Sequence, residues 1–225
     1  PLSAAQSSSP RYPQVGFEYA GTDVYAAVYD PGHYTVYWSN GSTSVAEAKR
    51  LPSEITVGGD WSVRFDPDWG PKEAVVFPEL ISWTESPEPL IRYYSGKAVY
   101  ENAFDLDKDQ IRGRKVLLDL GNVQDVAVIR VNGHEFPVSW CSPYEVDITP
   151  YVRAGRNRLS VDVVNLWPNR LIGDGKLPPG ERMTRSNISK YDAPDAEKYM
   201  RVSGLLGPVR VKFFERVKIT PQDKN

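Results

Sequence analysis

Short runs of alternating apolar and polar residues recur through this chain, each closed by a Gly, Asn or Pro turn, with no amphipathic helical period between them. Trp61-Ser62-Val63-Arg64-Phe65 puts Trp61, Val63 and Phe65 on one face of a strand. Ala98–Phe104, Lys115–Leu120, Val126–Val131, Glu145–Ile148 and Arg158–Val164 continue the pattern, and Val209–Ile219 ends it. Asn132-Gly133 is the strongest turn signal, because both central residues of a type I′ hairpin need positive φ, which Asn and Gly tolerate. His134–Val138 is the returning strand. Strands at this spacing, without crossover helices, predict antiparallel sheets packed as a β-sandwich.

Composition narrows the class. With 40% hydrophobic and 25% charged residues, the chain can bury a core and is not intrinsically disordered. Its 225 residues allow one large domain, or one domain and part of another. A complete (β/α)₈ barrel, at about 250 residues, does not fit. A net charge of -2 argues against a dedicated binder of nucleic acid or anionic membrane, whose affinity rests on clustered basic charge. No stretch reaches the roughly 18 apolar residues of a membrane-spanning helix.

Residues 1–18 read as a linker, with Pro, Ser and Gln and no signal-peptide pattern, which implies a chain processed or excised from a longer protein. Residues 19–53 read as a β-hairpin segment, from or beside a second β domain. Val24–Tyr29 turns at Asp30-Pro31-Gly32 into Tyr34–Trp38, and Ser39-Asn40-Gly41 makes another tight turn. A short helical turn is expected over Val45–Arg50. The main domain is expected over 54–219, and 220–225 is a polar tail. Asn165–Ser203 is a long polar stretch read as a loop, and loops of that length are usually functional or disordered. Asn157, after Gly155, suits a left-handed turn.

Candidate chemistry is sparse. The single cysteine, Cys141, makes no intramolecular disulfide or thiolate zinc site, and it reads as an ordinary thiol. His33 and His134 lie beside glycines without metal-site spacing. Acidic groups cluster at Asp66 and Asp68, at Glu85 and Glu88, and at Asp192, Asp195 and Glu197. On exposed loops such groups are usually solvated charges, because a raised pKa needs burial. The nearest approach to a calcium loop, Asp105-Leu106-Asp107-Lys108-Asp109, lacks the glycine, so no metal is assigned. Sugars present apolar C–H faces and dense hydroxyls, which aromatic plates, amides, carboxylates and guanidinium groups recognise. Asn165, Trp167, Asn169, Arg170 and Asp174 supply that set on one segment, and Trp140 on another. The structural alternative is that Trp167 and Leu171 pin the segment to the sandwich while Arg170 and Asp174 form an internal ion pair.

Several phrases carry more than a generic β pattern. Tyr93-Tyr94-Ser95-Gly96-Lys97-Ala98-Val99-Tyr100 is followed by Leu118-Asp119-Leu120-Gly121 and Ala127-Val128-Ile129-Arg130-Val131-Asn132-Gly133. Tyr144-Glu145-Val146-Asp147-Ile148-Thr149 and Gly155-Arg156-Asn157-Arg158-Leu159 come next. In this order they resemble the galactose-binding-like jelly roll, the sugar-binding domain of family 2 glycoside hydrolases. Asn165-Leu166-Trp167-Pro168-Asn169-Arg170-Leu171-Ile172-Gly173-Asp174 and Ser203-Gly204-Leu205-Leu206-Gly207-Pro208-Val209 are most similar to the C-terminal region of family 106 α-L-rhamnosidases. The resemblance covers residues 57–215.

It implies an all-β, galactose-binding-domain-like jelly-roll β-sandwich. It also implies that the catalytic carboxylates belong to a separate barrel of the same polypeptide. The expected function is a non-catalytic carbohydrate-binding or structural domain of a large glycoside hydrolase acting on plant or microbial polysaccharide. The alternatives are an autonomous lectin-like module and a stand-alone jelly-roll glycosidase. The expected partners are carbohydrate and that barrel, the expected location is extracellular or periplasmic, and no cofactor is assigned. Galactose-binding-like modules often carry a structural calcium, to which this sequence does not commit.

Overall fold

The computed structural model describes residues 15–220; residues 1–14 of the expected linker and 221–225 of the expected tail lie outside them. The strands are β1 (Val15–Ala20), β2 (Asp23–Val28), β3 (Gly32–Tyr37), β4 (Thr43–Ala48), β5 (Ile55–Thr56), β6 (Trp61–Phe65), β7 (Val75–Phe77) and β8 (Lys97–Leu106). They continue as β9 (Arg114–Asp119), β10 (Asn122–Gln124), β11 (Val126–Val131), β12 (His134–Glu135), β13 (Glu145–Asp147), β14 (Gly155–Val164), β15 (Gly204–Gly207) and β16 (Arg210–Ile219). The described residues divide into two compact units, one holding residues 54–108 and 117–212 and the other holding 15–53, 109–116 and 213–220.

The larger unit is the galactose-binding-like β-sandwich. One antiparallel sheet runs β12-β11-β14-β8-β6-β7. Its spine is the pair β14 and β8, in continuous register from Gly155↔Leu106 to Val164↔Lys97. The other sheet contains β5, the first residues of β16, the last residues of β9, and β13. Alternation fixes which faces turn inward. Trp61, Val63, Ala98, Tyr100, Ile129, Val161 and Val163 are buried from the first sheet, and Leu118 and Val211 from the second. At the centre the Trp83 indole N–H donates to the Tyr100 hydroxyl (2.5 Å), which also accepts the Leu205 N–H (3.2 Å). Trp83 packs edge-on against Phe65 and Tyr94, whose hydroxyl donates to the Lys97 carbonyl (2.7 Å), so the polar atoms of these rings are satisfied. Asn132 (φ 52°) and Gly133 (φ 89°) both take positive φ, and β11 returns into β12 as the hairpin signal requires.

The smaller unit holds four N-terminal strands where the sequence suggests a single hairpin. β1 and β2 pair across Gly21-Thr22, and β2 also pairs with the end of β16. β3 pairs with β4 around the Ser39-Asn40-Gly41 turn. The expected pairing of Val24–Tyr29 with Tyr34–Trp38 is not formed. Instead Tyr34, Val36 and Trp38 pack with Ala46 and Ala48 onto Ala26, Val28 and Ile219. An apolar face on each hairpin stabilises a two-layer stack more than side-by-side extension, which would leave both faces wet. The helical turn expected over 45–50 is corrected to strand β4. Ala and Glu favour helix weakly, but pairing with β3 and burial of Ser44, Ala46 and Ala48 at period two outweigh that preference. Val15–Glu18, read as linker, begins β1.

Two further differences lie in the sandwich. Asn157 is not a left-handed turn residue but part of β14, fully buried. The long segment read as a loop contains the helix Pro168–Gly175 and two short helical turns, Ser189–Tyr191 and Ala196–Tyr199. Proline in the first turn is pre-set for a helix, because its missing N–H has no intrahelical partner there.

Candidate functional site

The segment after β14 is fastened to the sandwich by its own polar residues. The Asn165 amide donates to the Tyr94 carbonyl (3.0 Å) and to Ser203 Oγ (2.9 Å), and its Oδ1 accepts the Gly96 N–H (2.9 Å). The Asn169 amide donates to the Arg201 carbonyl (2.7 Å) and to Ser203 Oγ (2.9 Å), and its Oδ1 accepts the Arg201 N–H (2.7 Å). The Ser95 hydroxyl donates to the Leu166 carbonyl (2.9 Å) and accepts the Arg170 N–H at the helix start (3.0 Å). Three otherwise separate stretches, around residues 95, 165 and 203, are thus tied by side-chain amides and hydroxyls that stand in for a strand ladder.

One turn along the helix, Arg170 Nε lies 3.3 Å from Asp174 Oδ1, with both side chains buried. Asp174 Oδ2 accepts the Thr184 N–H (2.7 Å) and the Thr184 hydroxyl. Burial lowers the Arg170 pKa from its ordinary value, and the Asp174 carboxylate opposes that shift. Gly173 allows the close fit: a Cβ there would stand 2.5 Å from the Tyr93 Cβ.

Six residues were expected to contact sugar. Four of them, Asn165, Asn169, Arg170 and Asp174, are buried and bonded within the chain. The other two are open: Trp140 is 73% exposed and Trp167 54%. Trp167 meets Trp69 edge-on, with ring centroids 5.7 Å apart. The Ala127↔Ser139 bridge and the Val126↔Val164 pair carry Trp140 to the end of the sheet where Leu166 and Trp167 leave β14. Trp140, Val164, Leu166 and Trp167 are exposed at this end of the sandwich, Trp140 beside β11 and Trp167 against Trp69, which follows β6. Sequence reading missed Ser95, Tyr94 and Ser203 in the polar network that fastens the segment after β14. The Tyr94-Ser95-Gly96 and Ser203-Gly204 turns were the available signal.

The acidic clusters are engaged or solvated. Asp66 Oδ1 accepts the Asp68 N–H (3.0 Å), Asp192 pairs with Arg182 (3.1 Å) and Asp195 with Lys198 (2.6 Å). Glu197 accepts the Tyr93 hydroxyl (2.5 Å) and pairs with Lys176 (3.0 Å) and Arg92 (3.6 Å). The Tyr93 hydrogen bond and then the Lys176 ammonium hold its pKa below the usual carboxylate value, opposite to what a general acid requires. Among the described residues no group of three or more His, Cys, Asp or Glu side chains can hold a metal ion. No helix among them is long and apolar enough to cross a membrane.

The fold is a galactose-binding-like β-sandwich, and comparison with known families places it further. Residues 48–186 match the family described as "Glycosyl hydrolases family 2, sugar binding domain", and the chain belongs to that family. A protein of Formosa agariphila, named "Putative beta-glucuronidase", is 34% identical over 80% of this chain, which spans 17% of that protein's length. The solved rhamnosidase of Novosphingobium sp. PP1Y is 30% identical with a TM-score of 0.64, over 86% of this chain and 21% of that one.

Proposed function

We propose that this chain is the non-catalytic sugar-binding domain of a larger, rhamnosidase-type glycoside hydrolase of family 106. Its tryptophan rim sits against the catalytic part and completes the sugar pocket there. The carrying observation is the division of the segment 165–174: the polar groups are consumed in internal hydrogen bonds and an ion pair, while Trp167 is left outside. A rigid aromatic plate binds a sugar's C–H face with little loss of side-chain entropy. The order of the Asn165–Asp174 and Ser203–Val209 phrases and the likeness to the Novosphingobium rhamnosidase support the rhamnosidase type. Polymeric substrates lie outside the cell, which supports an extracellular or periplasmic parent enzyme.

The test is kinetic, in the parent polypeptide. Trp167→Ala is expected to raise KM for a rhamno-oligosaccharide several-fold with kcat nearly unchanged, since it removes binding shared by ground and transition states. An unchanged KM overturns the rim's role. The exposure of Trp140 favours a second reading, an autonomous lectin-like module. Calorimetric binding of a neutral rhamno-oligosaccharide by the chain alone, lost in Trp140→Ala, would select it.

A further inference from the structure

At the opposite end of β14 from Trp167, the outward face of the sheet holds an open groove of about 800 Å³, within the range of ligand sites. Glu101, Arg130, Asn132, Arg153, Arg158 and Ser160 line it. The sheet register sets Arg130, Ser160 and Glu101 side by side across β11, β14 and β8.

The charges do not cancel. Arg130 is taken by Asp162 (2.7 Å) and Glu135 (2.7 Å), and Glu101 by Arg64 (3.1 Å). Arg153 and Arg158 are exposed and make no ion pair among the described residues. The backbone that carries them is fixed from beneath. Asn157, fully buried, donates to the Arg153 (2.8 Å) and Gly155 (2.9 Å) carbonyls and accepts the Arg153 N–H (3.0 Å). Asn132 donates to Asn157 Oδ1 (2.8 Å) and accepts the Arg158 N–H (2.9 Å). Beside the groove the His134 and Tyr151 rings stack with centroids 3.5 Å apart, and the Asn132 amide holds the Tyr151 carbonyl (2.7 Å). Two guanidinium groups without ion-pair partners, one on a pre-set turn and one in the first residues of β14, with a hydroxyl and an adjacent aromatic stack, make a coherent set for one ligand class.

We infer that this groove is a subsite for an acidic saccharide, with a uronate carboxylate held by Arg153 and Arg158. Guanidinium groups meet carboxylates in a two-point fork, which gives orientation as well as charge. The site is separate from Trp167: Val164 is six residue steps along β14 from Arg158, at about 3.3 Å each. It stands on the sugar-binding reading of the domain but not on the rim's role.

The experiment is calorimetric titration of the 225-residue chain with trigalacturonic acid and, in parallel, with maltotriose. Trigalacturonic acid is expected to bind, more weakly as salt rises, and maltotriose is not. Arg153→Ala and Arg158→Ala are each expected to weaken binding roughly tenfold, and Arg185→Ala, at an exposed arginine outside the groove, to leave it unchanged. All three arginines are exposed, so unchanged thermal melting confirms that the variants fold. The inference is overturned by absence of binding, by undiminished binding in the Arg153→Ala/Arg158→Ala double variant, or by binding lost only in Trp167→Ala. Equal affinity for polyphosphate also overturns it, since that would show attraction to any polyanion.

Discussion

The two ends of β14 are built by the same device and expose opposite chemistry. A buried asparagine anchors each: Asn157 where the strand begins and Asn165 just after it ends. At the Asn157 end the amide ties the 153–157 turn to itself and leaves arginines outside without carboxylate partners. At the Asn165 end the charges are internal, Arg170 against Asp174, and tryptophans are outside. An amide that satisfies backbone groups takes over the fixing of the turn, so that the exposed side chains are not what holds it. Whatever those side chains then carry is available for recognition.

This contrast ranks the consequences of substitution. The largest is expected for Asp174→Ala, which leaves the Arg170 guanidinium buried without its counter-charge. Urea denaturation should show a loss of about 3–5 kcal/mol, and a loss below about 1 kcal/mol would break the account of that end. Asn157→Ala removes the partner of the Arg153 N–H and carbonyl, the Gly155 carbonyl and the Asn132 amide, and should cost about 1–3 kcal/mol by the same measurement. Trp167→Ala forfeits the edge contact with Trp69 and should cost about 1 kcal/mol. Trp140→Ala should stay within about 0.5 kcal/mol, as an exposed side chain does.

The smallest effect is on pH dependence. The folded pKa of Glu197 lies below its ordinary value of 4.5, so the stability it contributes is present above that pH. It is lost as pH falls through the lower, folded value. Lys176→Met should flatten the melting temperature against pH below about 4.5, slightly, because the carboxylate is partly exposed; an unchanged profile would remove Lys176 from that role.

The sandwich was legible because its strands alternate in burial as they alternate in sequence. Trp61, Val63 and Phe65 face inward as their spacing requires, and Asn132-Gly133 turns where such a pair must. Pairing in the N-terminal unit was less legible. Periodicity gives the face of a strand but not its partner, and β2 finds β16, almost the whole chain away, rather than β3. The segment after β14 was legible as chemistry and not as geometry. Asn165, Asn169, Arg170 and Asp174 have the right groups for a sugar, but the same groups are spent inside, on backbone partners or on each other. Only the neighbours Tyr94, Ser95, Arg201 and Ser203, brought in by the fold, reveal which task each performs. The arginine groove escaped notice because register alone brings Glu101 and Arg130 beside Ser160, and the turns at Asn132 and Arg153 to the same end.

The central claim, a sugar-binding domain without catalysis of its own, is tested most directly by incubating the purified chain with an aryl α-L-rhamnoside and following release of the aryl alcohol. The account predicts no turnover above the uncatalysed rate at any pH at which the protein is folded. Turnover that a single Asp or Glu substitution abolishes in a folded protein would contradict it.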